Sequence, residues 1–557
     1  MTATFQTFRD SHESTGERTF GIIVPLPLPL PRRAAGRHSG GPASRGDSGG
    51  GSSPDGGFPR TEAHTFRGTG SERAGAPRFV RSATMGIFSC FACCRKRKTS
   101  VDDLPDILQK LAIAKKPKDA KKSLKLLLAL GDEAIVPAAV MRSGKIVPKL
   151  HTWAQSRDGE LRRTALICAA TLSQASETSG CAEALATSDF LMSCGAIAKM
   201  KKDKRLARCA ARYFAAAGGN QNVRVKIVDA NIHDQVWSFV KSKDAETMKF
   251  GILAYGKFAD DAYCAKQMCQ ENLTVDDLVK FFFARITKTD DTDVENWCLM
   301  AVARLAQAPL FSDKLAKMDK LPIIFAKAHD SIAGRKLPAA LCVANCAANK
   351  TLRVRLVKHR AYQLFVDMSK VGSHARRDMQ DYQRVAALGF RNLSSNFHLR
   401  ALAGRVGAVE AVVRMLRSRD QDIRRYAAKA ASELSLHEEN GKKMVDFGVF
   451  PPLIALAKSG DKYCEDEAVT ALANLALTED NQAEFQKEGG MEAMEVMALS
   501  RNPKVVKIAK RLTMRVRMTK LRTAARFAGK MAAVQKEELM KKGEWNEDGD
   551  KDEFSRP

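Results

Sequence analysis

The sequence predicts an all-α protein: a right-handed α-solenoid of about nine three-helix repeats, preceded by a disordered N-terminal extension. Three observations carry that reading. Ala- and Leu-rich amphipathic stretches recur every 41 to 47 residues between about residues 101 and 500. Aromatic residues make up only 7% of the 557-residue chain, and 26 of them are Phe, so the Ala-, Leu- and Lys-rich text favours helices over a β-sandwich. The composition also changes abruptly near residue 85, separating a part that cannot bury a core from one that can.

Residues 1–84 hold 11 Arg, no Lys and 14 of the 37 Gly. They read as a disordered extension or as upstream leader sequence, since Arg without Lys is what GC-rich leaders tend to encode. Gly21–Pro31 is apolar but laced with Pro and follows no basic stretch, which argues against a signal peptide. Gly46-Asp47-Ser48-Gly49-Gly50 imitates a serine-protease nucleophile motif, but a Gly/Ser tract supplies neither the scaffold nor the His and Asp that the chemistry needs.

Residues 85–100 read as a membrane anchor. Met85 is followed by Gly86, the glycine that N-myristoylation requires, then by Cys90, Cys93 and Cys94 for S-palmitoylation and by the basic run Arg95, Lys96, Arg97 and Lys98. One myristoyl chain binds marginally, so a second acyl chain and a basic patch supply residence on an anionic surface. Cys90-x-x-Cys93 has no second pair at zinc spacing and no nearby His. A nuclear localisation signal and a solvated charge run are the other readings of the basic stretch.

Residues 101–500 carry the repeat. Val385–Asn396 (VAALGFRNLSSN), Ala427–Leu436 (AAKAASELSL) and Ala468–Leu477 (AVTALANLAL) align on Leu393, Leu434 and Leu475. The series extends back through Cys346, Leu305, Phe258, Phe214 and Leu172 to Leu130. The two 47-residue steps are assigned to polar loop insertions at Thr287–Asp293 and Gly372–Asp378. Gly448, Gly407 and Gly144 precede their landmarks by 27, 27 and 28 residues; each marks a turn between a short helix and the next. At Phe214 and Phe258 this glycine is displaced (Gly195) or missing. No unit of this kind buries its apolar face alone, so neighbours must stack.

These turns, and third helices ending in Asn-Leu, resemble the armadillo repeat of the β-catenin-like family; HEAT repeats are the near alternative. An acylated N-terminus joined to such an array resembles lipid-anchored armadillo scaffolds such as the fungal vacuolar armadillo protein and the apicomplexan armadillo-repeats-only protein. The resemblance implies a scaffold on the cytosolic face of an organelle or the plasma membrane. It also implies a concave groove lined by third helices, where an Asn before the late apolar residue bonds the main chain of an extended partner segment. Asn345, Asn392 and Asn474 occupy that place; Thr171, Lys257, Arg304 and Glu433 interrupt the ladder elsewhere. Nuclear-import carriers pair each Asn with a Trp four residues earlier, but Leu341, Leu388 and Thr470 stand there, and Trp153, Trp237 and Trp297 are expected in or near the core.

No nucleotide, zinc-protease or hydrolase motif is present, so no enzyme activity, metal or cofactor is expected. Cys342 and Cys346 share a helix face and are expected to pack in the core. The net charge of +28 points to acidic partners. Residues 501–540 are expected to form a basic helix capping the array, with Val505, Ile508, Leu512 and Val516 inward; from Arg501 to Lys536 it has 12 cations and no acid. Membrane-surface contact is its second reading. Nucleic acid is not the expected partner, because aromatic interleaving is absent apart from Phe527. An acidic tail, residues 541–557, is placed to fold back on this helix. The reading is therefore a non-enzymatic, membrane-tethered adaptor for protein segments, with a soluble adaptor of nuclear-import or β-catenin type as the alternative.

Overall fold

The computed structural model describes residues 99–542, apart from 131–132, 134, 175–179, 201–202, 271, 331 and 371–376. The extension 1–84, the anchor residues Gly86, Cys90, Cys93, Cys94 and Arg95–Lys98, and the acidic tail beyond 542 lie outside the described residues.

The described residues are helical and contain no strand. Ten of the helices are the third helices of successive units: α1 Pro117–Ala129, α2 Gly159–Gln174, α3 Lys204–Ala217, α4 Ala245–Phe258, α5 Thr292–Leu305, α6 Ala333–Cys346, α7 Arg377–Ser394, α8 Gln421–Leu434, α9 Lys462–Leu475 and α10 Pro503–Lys542. Each packs against the next without interruption. Two helices precede each of α2 to α10, as Glu438–Asp446 and Phe450–Ala457 precede α9, and all but one of them are shorter than the third helix they precede. One helix, Leu104–Ile113, precedes α1.

All nine landmark residues sit within three residues of the C-terminal end of a third helix, Leu130 as the cap that follows α1, and none exceeds 4% exposure. Each contributes on the order of 1.5–3 kcal/mol by burial. Where the sequence motif is faint, larger rings fill the interior. Phe214 lies 6.4 Å from Phe258 and 6.3 Å from Phe239 between centroids, and Phe190 meets Tyr213 edge-on at 5.2 Å. Trp153 is buried, Trp237 and Trp297 pack against the core, and Cys342 and Cys346 lie inside it.

The turn before the second helix in most units contains a left-handed residue. Gly144, Gly407 and Gly448 supply it with φ of 63°, 82° and 68°. In three units without the glycine, Asn231 (φ 53°), Asp319 (φ 51°) and Arg360 (φ 63°) adopt the same conformation, which Asn and Asp tolerate best. The turn is thus conformational before it is a glycine signature.

Two expectations change. The first insertion does not form a long loop. It lengthens the second helix of its unit, Asn272–Lys288, and leaves 289–291 as the connection to α5. The helix expected to cap the array is itself the third helix of a tenth unit, preceded by Glu479–Lys487 and Gly490–Met497. Gly489, with φ 76°, makes the turn 27 residues before Val516, which is 2% exposed and lies 41 residues after Leu475.

Candidate functional site

The third helices place one side-chain row from each unit on a common face, so the geometry builds from their starts to their ends. At the starts stands an aspartate. Asp158, Asp203, Asp244, Asp291, Asp420 and Asp461 cap α2, α3, α4, α5, α8 and α9 by accepting from backbone N–H groups of the first turn. Each also receives a cation from the preceding third helix. Lys121 reaches Asp158 at 3.1 Å, Arg163 reaches Asp203 at 3.1 Å, Arg208 reaches Asp244 at 2.5 Å and Lys249 reaches Asp291 at 2.7 Å. Arg384 pairs with Asp420, and Arg425 reaches Asp461 at 2.9 Å. The cation commonly stands five residues after its own helix's aspartate, as in Asp158 and Arg163, Asp203 and Arg208, or Asp420 and Arg425. In α5 that place holds Asn296, and the ladder changes register: Glu295 takes Lys327 at 2.5 Å and Arg335 at 2.7 Å. Sequence reasoning missed this ladder, although the Asp-x4-Arg/Lys spacing at the repeat period was visible.

The Arg208 guanidinium and the Thr247 hydroxyl and amide hold the Asp244 carboxyl well below the usual carboxylate range. A hydrogen bond from the Leu161 amide, then the Lys121 ammonium, does the same at Asp158. Such groups add stability above their unfolded pKa of about 4 and lose it as pH falls through the lower folded value. The melting temperature is therefore expected to decline gently below about pH 6.5, where His151 and His233, held below the usual imidazole range by burial, charge more readily in the unfolded chain, and to fall further below about pH 4. Asp244→Ala removes the cap bonds from Thr247 N (3.0 Å) and Oγ1 (2.7 Å) and leaves Arg208 only the more distant Glu246 at 3.6 Å, so it is expected to cost about 1–3 kcal/mol at pH 7 and less in acid. Denaturant melts at pH 7 and pH 3 check both.

At the ends of the third helices stand the residues assigned to partner binding. Asn345 Nδ2 donates to Ala303 O at 2.8 Å, and Asn392 Nδ2 to Ala344 O at 2.8 Å. Asn474 Nδ2 donates to Ser432 O at 3.0 Å and Ser435 Oγ at 3.1 Å. These nitrogens join each third helix to the one before it, a role the sequence reading did not include. Each Oδ1 is left without a partner among the described residues. Between Asn392 and Asn474 the face is polar and aromatic: Arg391 lies over the Tyr426 ring at 5.7 Å and Arg425 over Tyr463 at 5.0 Å.

In α4 and α5 the same place holds Lys257 and Arg304. Arg304 Nε meets Asp260 at 2.8 Å, and Arg224, from the helix Gln221–Asp229, meets the same carboxylate at 3.5 Å. Arg224 also donates to the carbonyls of Gly218 and Gly219 that end α3, both at 3.3 Å. The equivalent Arg353 and Arg400 cap Ala347 O and Ser394 O in the same way. Lys257 makes no hydrogen bond or ion pair among the described residues. Burial pushes its ammonium down to about 8, with Arg304 and Arg224 adding to the shift and Asp260 opposing it.

No described helix is long and apolar enough to cross a membrane, and no group of metal-ligating side chains occurs among the described residues. No protein-family model matches the chain, and no curated protein matches it. Solved structures do. An engineered protein determined by a structural genomics consortium is similar at a TM-score of 0.56 and 20% identity, over 74% of this chain and 99% of that one. A designed armadillo repeat protein is 19% identical over 42% of this chain and 98% of its own, with a TM-score of 0.39. Another, solved in complex with the peptide (KR)4, is 19% identical over 42% and 97%, with a TM-score of 0.38. The chain's own stacked units make the class of the fold an α-solenoid of three-helix repeats.

Proposed function

We propose that this chain is a non-enzymatic scaffold that holds extended segments of partner proteins along its third-helix face and is tethered to the cytosolic side of a membrane through its N-terminal region. The observation that carries the scaffold reading is the unbroken row of third helices from α1 to α10, which presents one helix face per unit at near-constant spacing. A row of that kind matches the repeat of an extended peptide rather than the enclosure a reaction centre needs. Asn345, Asn392 and Asn474 take part through Oδ1, each accepting one main-chain N–H of the partner.

The tether rests on the sequence: Gly86 for myristate, Cys90, Cys93 and Cys94 for palmitate, and Arg95–Lys98 for the anionic surface. Protein expressed from Met85 is expected to sediment with membranes. Gly86→Ala is expected to release it, because palmitoylation depends on prior membrane sampling, and replacing all three cysteines is expected to leave it cycling on and off. Fractionation decides this. Wild-type protein in the soluble fraction, or a Gly86→Ala protein bound as firmly as wild type, would replace the tether with the soluble-adaptor reading.

A further inference from the structure

The charge around Asp260 does not balance. Arg224 and Arg304 converge on this one carboxylate and Lys257 stands near it without an ion pair, which leaves two unit positive charges in a largely buried place. The side chain of Arg224 is 4% exposed, that of Arg304 13%, and that of Asp260 12%. Arg224 Nε is buried with no acceptor, and half-buried Lys257 makes no hydrogen bond or ion pair among the described residues. Carbonyls at the end of α3 account for part of Arg224 but for none of Lys257. Buried cations are ordinarily paired, because desolvating an unpaired one is costly.

The surroundings say what kind of group would pair them. One helical turn earlier on α4 and α5 stand Leu253 and Met300, and Trp297 lies a further turn back. All three are half-buried and pack on the core, so they form an apolar strip beside the cations. The units on either side have an uncharged residue in the corresponding place, Tyr213 in α3 and Asn345 in α6, so the surplus charge is confined to the middle of the array. Asp260 shows that the cluster already accepts a carboxylate.

We infer that Arg224, Lys257 and Arg304 form a carboxylate-binding site that anchors an acidic residue of an extended partner segment, with an apolar partner side chain seated on Leu253, Trp297 and Met300. This inference rests on the scaffold reading and names the chemistry of its partner. An incoming carboxylate halves the surplus charge and supplies the acceptor that Lys257 lacks. The depressed ammonium of Lys257 fits a site whose charge is only partly compensated.

The test uses the full chain and a fluorescein-labelled peptide of about a dozen residues in which Leu and Glu alternate, followed by fluorescence anisotropy. The peptide is expected to bind, and its Leu/Lys and Leu/Gln counterparts at least tenfold more weakly. Lys257→Met and Arg304→Gln are each expected to weaken the Leu/Glu peptide at least tenfold. Lys257→Met should do so without lowering the melting temperature, because Lys257 makes no hydrogen bond or ion pair among the described residues; this separates lost binding from lost folding. Unchanged affinity in both variants would overturn the site and leave the scaffold reading standing. Failure of acidic, neutral and basic peptides alike to bind would overturn both. If the Leu/Glu peptide binds only after residues 543–557 are removed, the site's occupant is the chain's own acidic tail and the partner proposal falls.

Discussion

Ending the chain before Pro503 is expected to lower the unfolding free energy of the last repeats by about 5 kcal/mol, and ending it after Met518 to change it little. The reason lies in where α10 is covered. Val505, Ala509, Leu512 and Val516 are buried against α9 and the helix Gly490–Met497, spaced four, three and four residues apart, as one face of a helix requires. Beyond Val516 the large apolar side chains face outward: Leu521 is 64% exposed, Phe527 66% and Met531 54%. Each large buried side chain contributes on the order of 1.5–3 kcal/mol, so losing the inner half exposes a face the array cannot cover otherwise. In a linear array the loss is felt mostly by the adjacent units. Hydrogen exchange of α8 and α9 in the two truncated proteins reads this directly. Equal protection in both, combined with loss of liposome binding, would make α10 a membrane-contact element instead of the array's closing helix.

The same helix shows what the sequence disclosed and what it did not. The nine landmark residues could be read because each is an apolar side chain at a fixed point in a helix, and a fixed point in a stacked repeat is always buried. The tenth, Val516, follows the same spacing, yet the basic text around it reads as a separate segment. Charge on the outward face hid a unit that the Gly489 turn and the period both mark. The 47-residue step before Leu305 was visible as an insertion but not as a longer helix, because Thr287–Asp293 is polar while its backbone partly continues Asn272–Lys288. At the third-helix ends, the pattern of Asn, Lys and Arg was plain in the sequence. Its meaning was not. That Asn345 and Asn392 spend their nitrogens on the preceding helix, and that Lys257 has no partner, depends on which carbonyls and carboxylates lie across the helix contact. Neighbours about 40 residues away decide those roles.

Gly251→Ala is expected to destabilise the protein by about 2 kcal/mol, although Gly to Ala inside a helix ordinarily stabilises by about 1 kcal/mol. Gly251 lies in the first half of α4, which crosses the helix Ile232–Val240 closely. A Cβ at this position would stand 2.7 Å from Val240 N, 2.8 Å from the Phe239 carbonyl carbon and 3.1 Å from Phe239 Cβ. Two of those three atoms are backbone, so no rotamer change relieves the contact. The backbone itself is held by Phe239 and Val240, which are at most 1% exposed. Separating the two helices opens the interior around Phe214, Phe239 and Phe258, and overpacking of this kind costs about 1–3 kcal/mol, with backbone contacts at the upper end. That cost outweighs the gain in helix propensity. Gly529, in the outer half of α10, gives the opposite sign: nothing lies within 4 Å of its added Cβ, so Gly529→Ala is expected to raise local helix stability by about 1 kcal/mol. Thermal melts of Gly251→Ala and amide exchange around residue 529 in Gly529→Ala separate the two terms. A Gly251→Ala protein as stable as wild type would mean that the helix pair can part without cost, and the close crossing would then play no role in holding the fourth unit together.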